Sequence, residues 1–127
     1  MNERSLQNVF RMQLTQAIPT LRAFVRSVGV FELEDGRVFR AGIKGQCDIY
    51  AMARGGLHIE LELKAEKGRL TKEQIAWRDF CIEWGVPWLL LQPARGELVE
   101  ATMERWIGLV RELVSSKAAE AKRANVG

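Results

Sequence analysis

Between Leu57 and Lys64 apolar and polar residues alternate without a break: Leu57, Ile59, Leu61 and Leu63 against His58, Glu60, Glu62 and Lys64. A strict period of two is the mark of a β-strand with two unlike faces. One face has to be buried in a core. The other carries two carboxylates and an ammonium side by side. A chain holding this segment must build a sheet and must also dispose of charge on one side of it.

The remaining pattern supplies the partners. Leu6, Val9, Phe10, Leu14, Ala17 and Ile18 recur at helical spacing, and Leu21, Val25 and Val28 continue the stripe. Pro19 either kinks this helix or opens a second one, and Gly29 is placed to stop it. Val30 to Leu33 and Arg37 to Ala41 read as strands around the hairpin turn Asp35-Gly36. Gly42-Ile43-Lys44-Gly45 is a flexible connection. A GxxG of this kind clamps nucleic-acid backbones in KH domains, but there it lies between helices and here it enters a strand. Cys47 to Ala53 predicts a strand, turned by Gly55-Gly56 into Leu57 to Lys64.

A helix is predicted from about Thr71 to Trp84, with Trp77, Phe80, Cys81 and Trp84 on one core-facing side. Val86 to Leu91 is a compact apolar run, expected as a strand buried on both faces. A last helix over about 98–117 carries Met103, Trp106, Ile107, Val110, Leu113 and Val114, and the polar tail beyond it is expected to be mobile at its end. The order of elements predicts one α/β domain over residues 1–127, a mixed β-sheet flanked by helices.

Composition narrows the class. The hydrophobic fraction of 47%, with four Trp and five Phe, excludes a wholly disordered chain. The 19 basic and 16 acidic residues leave a net charge of +3, compatible with an anionic partner without requiring one. No apolar run approaches the ~18–20 residues of a membrane span, and Met1-Asn2-Glu3-Arg4-Ser5 is not followed by a signal-peptide core. A soluble cytoplasmic protein with no membrane partner is expected. Cys47 and Cys81 are expected as buried reduced thiols. A zinc site would need both and His58, the only histidine, and no two of these have finger-like spacing.

Chemistry concentrates in two short stretches. Asp48 lies near the start of one predicted strand, and Glu62-Leu63-Lys64 ends the next. Neighbouring carboxylates repel, and a divalent cation relieves that repulsion. Mg²⁺ takes hard oxygen ligands and keeps several waters, one of which can attack phosphorus. An adjacent lysine orients that water, acts as a base if its pKa is lowered, or neutralises the transition state. Asp48, Glu62 and Lys64 thus form a coherent set for phosphodiester hydrolysis. The plainer reading of the same residues is a solvated sheet face.

From about Arg40 to Gln92 the chain also resembles the VRR-NUC domain of the PD-(D/E)xK nuclease superfamily. The resemblance is carried by Gly45-Gln46-Cys47-Asp48-Ile49-Tyr50, by Ile59 to Lys64, by Gly68-Arg69-Leu70-Thr71-Lys72-Glu73-Gln74, and by Gly85 leading into Val86 to Leu91. It implies a restriction-endonuclease-like core and Mg²⁺- or Mn²⁺-dependent cleavage of DNA. Asp48 matches the family's metal-binding aspartate, Glu62 the motif acid, Lys64 the motif lysine and Gln74 a glutamine on the following helix. The resemblance further implies that the backbone carbonyl of Leu63 completes the metal shell. Cys47 stands where the superfamily name has proline.

Many relatives add an acid from the first helix. Glu3 is the only acid before Glu32, which makes it the candidate third ligand; Gln7 or Gln16 could hold an outer water instead. Glu60 shares a face with Glu62 and is expected to support the metal from outside its ligand set or to be solvated. Gln74 has two readings, a catalytic one and a capping box with Thr71. Arg40, Lys44, Lys67, Arg69 and Lys72 are candidates for DNA phosphate contacts, while Trp77, Trp84 and Trp106 read as core. Compact relatives are similar to Holliday-junction resolvases and act as homodimers, and stand-alone members are typical of phage and bacteria. The resemblance therefore implies a homodimer acting on branched DNA in recombination or repair. The alternative is an inactive module of the same fold that binds DNA structure or a partner nuclease.

Overall fold

Asn2 opens the first helix by accepting a hydrogen bond from the Ser5 amide (2.9 Å). The computed structural model describes residues 1–126, and the side chains of all of these but Ala119 and residues 121–126. Helix α1 spans Glu3–Ala17 and buries Leu6, Phe10 and Leu14 along one stripe. It stops because the residue before a proline is driven out of helical backbone space: Ile18, ahead of Pro19, has φ −126° and ψ 87°.

The chain beyond Pro19 is not helical. Leu21–Val25 forms strand β1, which corrects the expected continuation of the helix to Val28. A spacing of four is even, so Leu21 and Val25 share a face under either period, and the pattern misleads there.

Strands β2 (Gly29–Glu32) and β3 (Val38–Ala41) form the predicted hairpin, with Phe31 opposite Phe39. They make a two-stranded sheet of their own. Strand β4 is Ile49–Ala53 and β5 is Leu57–Leu63. Helix α2 (Lys72–Glu83) carries the chain over to β6 (Trp88–Leu91), and α3 covers Val99–Val126. The main sheet runs β1-β4-β5-β6, antiparallel except for the β5–β6 pair. That parallel pair needs a crossover, which α2 supplies. The architecture is mixed α/β, a mixed four-stranded sheet flanked by helices.

The alternation of β5 sorts the two faces as predicted. Ile59, Leu61 and Leu63 pack with Ile49, Ala51 and Leu21 under α1 and α3, where Phe10 meets Trp106 edge to face (centroids 5.5 Å apart). Helix α2 crosses the other face. There the expected core stripe is only partly realised: Cys81 is buried and Trp77 half-buried, whereas Phe80 and Trp84 are exposed, Trp84 to 70%. Strand β6 is a sheet edge, and Leu90 on it is exposed, so the expected burial of both faces is also corrected. Helix α3 continues past Lys117 to Val126. The expected mobile end of the tail, at Gly127, lies outside the described residues. Among the described residues no helix is long and apolar enough to cross a membrane.

Candidate functional site

The antiparallel register of β4 and β5 pairs Ile49 with Leu61. Asp48 comes immediately before that first pair, and its charge acts on Glu62, the residue after Leu61. Lys64 follows at the end of β5, its amide held by the Leu91 carbonyl of β6 (2.9 Å). Strand pairing alone therefore brings Asp48, Glu62 and Lys64 to one end of the sheet.

Glu62 is 2% exposed, and its Oε1 is buried without a hydrogen-bond partner among the described residues. Burial pushes its carboxyl up to about 7; the Lys64 charge opposes the rise, and Asp48, Glu3 and Glu60 add to it. Lys64 is itself buried, yet among the described residues it makes no direct ion pair. Its charge and those of the acids act on one another without closing into a salt bridge.

The first helix reaches this group. Burial raises the Glu3 carboxyl above its ordinary value; Lys64 pulls it down and Asp48 pushes it up. Gln7, one turn on, donates through Nε2 to Asp48 Oδ2 (3.4 Å). Glu3 and Gln7 of the three candidates from the N-terminal helix thus stand at the site. Gln16 does not, and borders a groove with Asn8 and Arg11 instead.

Among the described residues no three His, Cys, Asp or Glu side chains form a ready-made metal cage. Mg²⁺ does not require one, since it binds through one or two carboxylates and keeps its waters. A buried, unpartnered carboxylate oxygen beside two further acids is a donor set that fits such a hard cation. Glu62, with Asp48 or Glu3 as a second carboxylate, could supply those one or two ligands.

Of the two parts expected of Glu60, solvation is overturned. The residue is 1% exposed, and both of its oxygens are committed. Arg26 Nη1 and Nη2 donate to Oε1 and Oε2 (2.7 and 2.9 Å), Trp77 Nε1 donates to Oε1 (3.0 Å), and His58 Nε2 bonds Oε2. Burial alone would raise this carboxyl; the bonds from Arg26, His58 and Trp77 overcome that and hold it below its ordinary value. Glu60 has no oxygen left for a metal.

Arg26 is the residue that sequence reasoning missed. Its Nη1 also donates to the Cys47 carbonyl (2.8 Å), and its amide donates to the Asp48 carbonyl (2.7 Å). It therefore straps the Cys47-Asp48 peptide to β5. Nothing local announces this role, because the contact spans segments far apart in sequence. Gln92 was missed for the same reason: its Nε2 donates to the carbonyls of Ala65 and Gly68 (2.8 and 2.7 Å), pinning the loop that follows Lys64.

Gln74 resolves towards its structural reading. Its Oε1 accepts from the Thr71 amide (2.9 Å) while its own amide donates to Thr71 Oγ1 (3.1 Å), a complete capping box. No hydrogen bond links it to Asp48, Glu62 or Lys64 among the described residues. The Gly42–Gly45 stretch also acquires a packing role. A Cβ on Gly45 would lie 2.2 Å from the Glu73 carbonyl oxygen, so the loop leading to Asp48 rests directly on the start of α2.

The basic candidates fall into two groups, all exposed. Lys67 and Arg69 belong to the segment between Lys64 and α2, and Lys72 is the first residue of α2. Arg40 lies on the hairpin, and Lys44 beyond it faces Glu73 (3.6 Å). Cys47 and Cys81 are free and buried, as expected; burial raises both thiols, that of Cys81 to about 11. Set against known protein families, curated proteins and solved structures, the chain matches none.

Proposed function

We propose that the chain is a metal-dependent DNA endonuclease with a restriction-endonuclease-like core, of the VRR-NUC type that its sequence resembles. The observation that carries this reading is Glu62: a buried carboxyl with one unpartnered oxygen, coupled to Asp48, Glu3 and Lys64. A sheet face that was merely solvated would leave Glu62 and Glu3 in water at ordinary carboxylate values rather than raised by burial. Burying charge without pairing it is costly and concentrates at functional sites.

In this reading Asp48, Glu62 and the Leu63 carbonyl hold Mg²⁺ or Mn²⁺, with Glu3 as the additional carboxylate. Such an ion supplies charge stabilisation at a phosphoryl oxygen when bound. The chain's own groups do the rest. Lys64 Nζ holds and orients the attacking water and offsets negative charge developing on the phosphate. Gln7 fixes the Asp48 carboxylate, and the Arg26–Glu60 pair fixes the peptide that carries it. Lys67, Arg69 and Lys72 contact DNA phosphates on the side where their segment leaves Lys64. The substrate class is branched DNA, including Holliday junctions, met in recombination or repair in a bacterial or phage-infected cell. Two copies present two such sites to two strands.

The test is cleavage of labelled four-way junction, flap, duplex and single-stranded DNA with Mg²⁺, Mn²⁺ or EDTA. Cutting that needs the metal and disappears in Asp48→Ala and Lys64→Ala supports the proposal, and the preferred substrate names the task. Activity retained in Lys64→Ala overturns it. Binding without cutting on every substrate replaces it with an inactive DNA-structure or partner-binding module.

A further inference from the structure

Residues paired across neighbouring strands share a face of the sheet. The register therefore sets two rows on one face: Phe24, Tyr50 and Glu60 in the first, Arg22, Met52 and His58 in the second. Helix α2 packs beside β6 and reaches Glu60 through Trp77. Over β1 and β4 the same face is open, with Phe24 40% and Met52 49% exposed. There Arg22, Phe24, Met52 and Arg54 border a groove of about 300 Å³.

The aromatic rings on this face are ordered. Tyr50 on β4 stands between Phe24 on β1 and His58 on β5, with both ring centroids 5.3 Å from its own and planes tilted by 22° and 16°. Charge holds the row in place. Arg26 Cζ lies 4.7 Å from the centre of the Tyr50 ring, and Glu60 fixes that guanidinium while also bonding His58 Nε2. Rings held in this way have little freedom left to lose when a ligand stacks on them.

The cations at the open end are not neutralised. Arg22 Nη1 donates to the carbonyls of Pro19 and Leu21 (3.2 and 3.1 Å), which fixes the guanidinium and leaves its charge. Among the described residues neither Arg22 nor Arg54 makes an ion pair. Near-parallel rings beside two uncompensated guanidinium groups match a single-stranded polynucleotide, which offers bases to the rings and phosphates to the cations. A duplex keeps its base faces inside its own stack and would meet only the arginines. The groove is at the lower end of the size of small-molecule pockets, room for a flat ring and not for a double helix. Asp48 lies two residues before Tyr50 and Glu62 two after Glu60, so both strands lead from the rings to the site.

We infer that the open face of β1 and β4 binds single-stranded DNA, its bases stacking on the Phe24–Tyr50–His58 row and its phosphates on Arg22 and Arg54. The surface stands on its rings and arginines; that the strand is DNA, and the unpaired arm of a branched substrate, rests on the nuclease reading.

Fluorescence anisotropy of a labelled oligothymidine of about 15 nucleotides, titrated with the full chain in EDTA, tests binding apart from cleavage. The expected result is saturable binding that Phe24→Ala weakens at least about fivefold, the lower end for one lost base–aromatic stack, while affinity for blunt duplex stays unchanged. Arg22→Gln/Arg54→Gln should lower the slope of log affinity against log salt by about 1.4, two phosphates at about 0.7 each. Met12→Ser, on exposed α1 surface, should alter neither. Far-UV circular dichroism confirms folding, and Met52→Glu in the same groove replaces Phe24→Ala if that variant loses signal. No strand binding up to about 100 µM chain overturns the inference and leaves the face to a protein partner. A loss confined to the arginine variant overturns it as charge alone. Strand binding without cleavage of any substrate keeps the surface and removes the nuclease; metal-dependent cleavage by a chain whose Phe24→Ala variant binds the strand normally does the reverse.

Discussion

Arg26 grips Glu60 with two guanidinium nitrogens on two carboxylate oxygens, at 2.7 and 2.9 Å, and with the first of them also holds the Cys47 carbonyl. The pair joins the end of β1 to β5 and to the strand that bears Asp48. Breaking a buried pair from one side leaves a bare charge, which costs about 3–5 kcal/mol. Arg26→Met and Glu60→Leu are each expected to destabilise by that order in urea titrations. The double variant should lose less than the sum, and strict additivity would deny the coupling.

The raised Glu62 carboxyl makes stability depend on pH. Its folded pKa of about 7 lies above the ordinary value of 4.5, so the folded chain holds a proton that the unfolded chain has released. Its contribution is complete below 4.5 and is lost as pH rises towards 7, by about 3 kcal/mol in metal-free protein. Glu62→Gln should abolish that slope. Mg²⁺ or Mn²⁺ favours the ionised form, so added metal should raise Tm more at pH 8 than at pH 5.5. Thermal melts across this range, with and without metal, decide it.

Glu60 acts in the opposite sense. Its carboxyl is held below 4.5, so its stabilisation is present above that value and disappears as pH falls below it. Acid unfolding should therefore begin at higher pH in Arg26→Met, which removes the guanidinium that keeps Glu60 ionised, and tryptophan fluorescence followed against pH measures the onset.

Two glycines separate backbone strain from steric conflict. Gly45 and Gly55 both have positive φ (99° and 93°), but only at Gly45 would a Cβ strike neighbouring backbone. Gly55→Ala is expected to cost about 1 kcal/mol. Gly45→Ala should cost clearly more, because α2 or the loop before Asp48 has to move. Equal losses in denaturant titrations would refute the packing argument.

The tryptophan that caps α2 and the one within α3 should behave differently. Trp106 is fully buried against Phe10, and Trp106→Ala is expected to cost about 3–5 kcal/mol. Trp84→Ser, at an exposed position, should stay within about 0.5 kcal/mol. A comparable loss at both would place Trp84 in the core after all.

Much of this was readable from local pattern. The hairpin at Asp35-Gly36, the alternation of β5, the α2 cap at Thr71 and the stripe of α3 depend on neighbours in sequence, and they were found where period and turn chemistry put them. Strand β1 escaped because Leu21 and Val25 obey both periods. The open face of α2 escaped because periodicity shows that a side is apolar, not that anything lies against it.

At the site the division is similar. By itself the sequence determined that Glu60, Glu62 and Lys64 share one face of a strand, since alternation is a property of extended backbone. Only the tertiary structure decided what each of them does. The β4–β5 pairing brought Asp48 to the end of β5 that holds Glu62, the path of α1 brought Glu3 and Gln7 to them, and Arg26, His58 and Trp77 closed around Glu60 and left a Glu62 oxygen unpartnered among the described residues. Charge state and reactivity follow from burial and from partners distant along the chain, and those are properties of packing that no local spacing encodes.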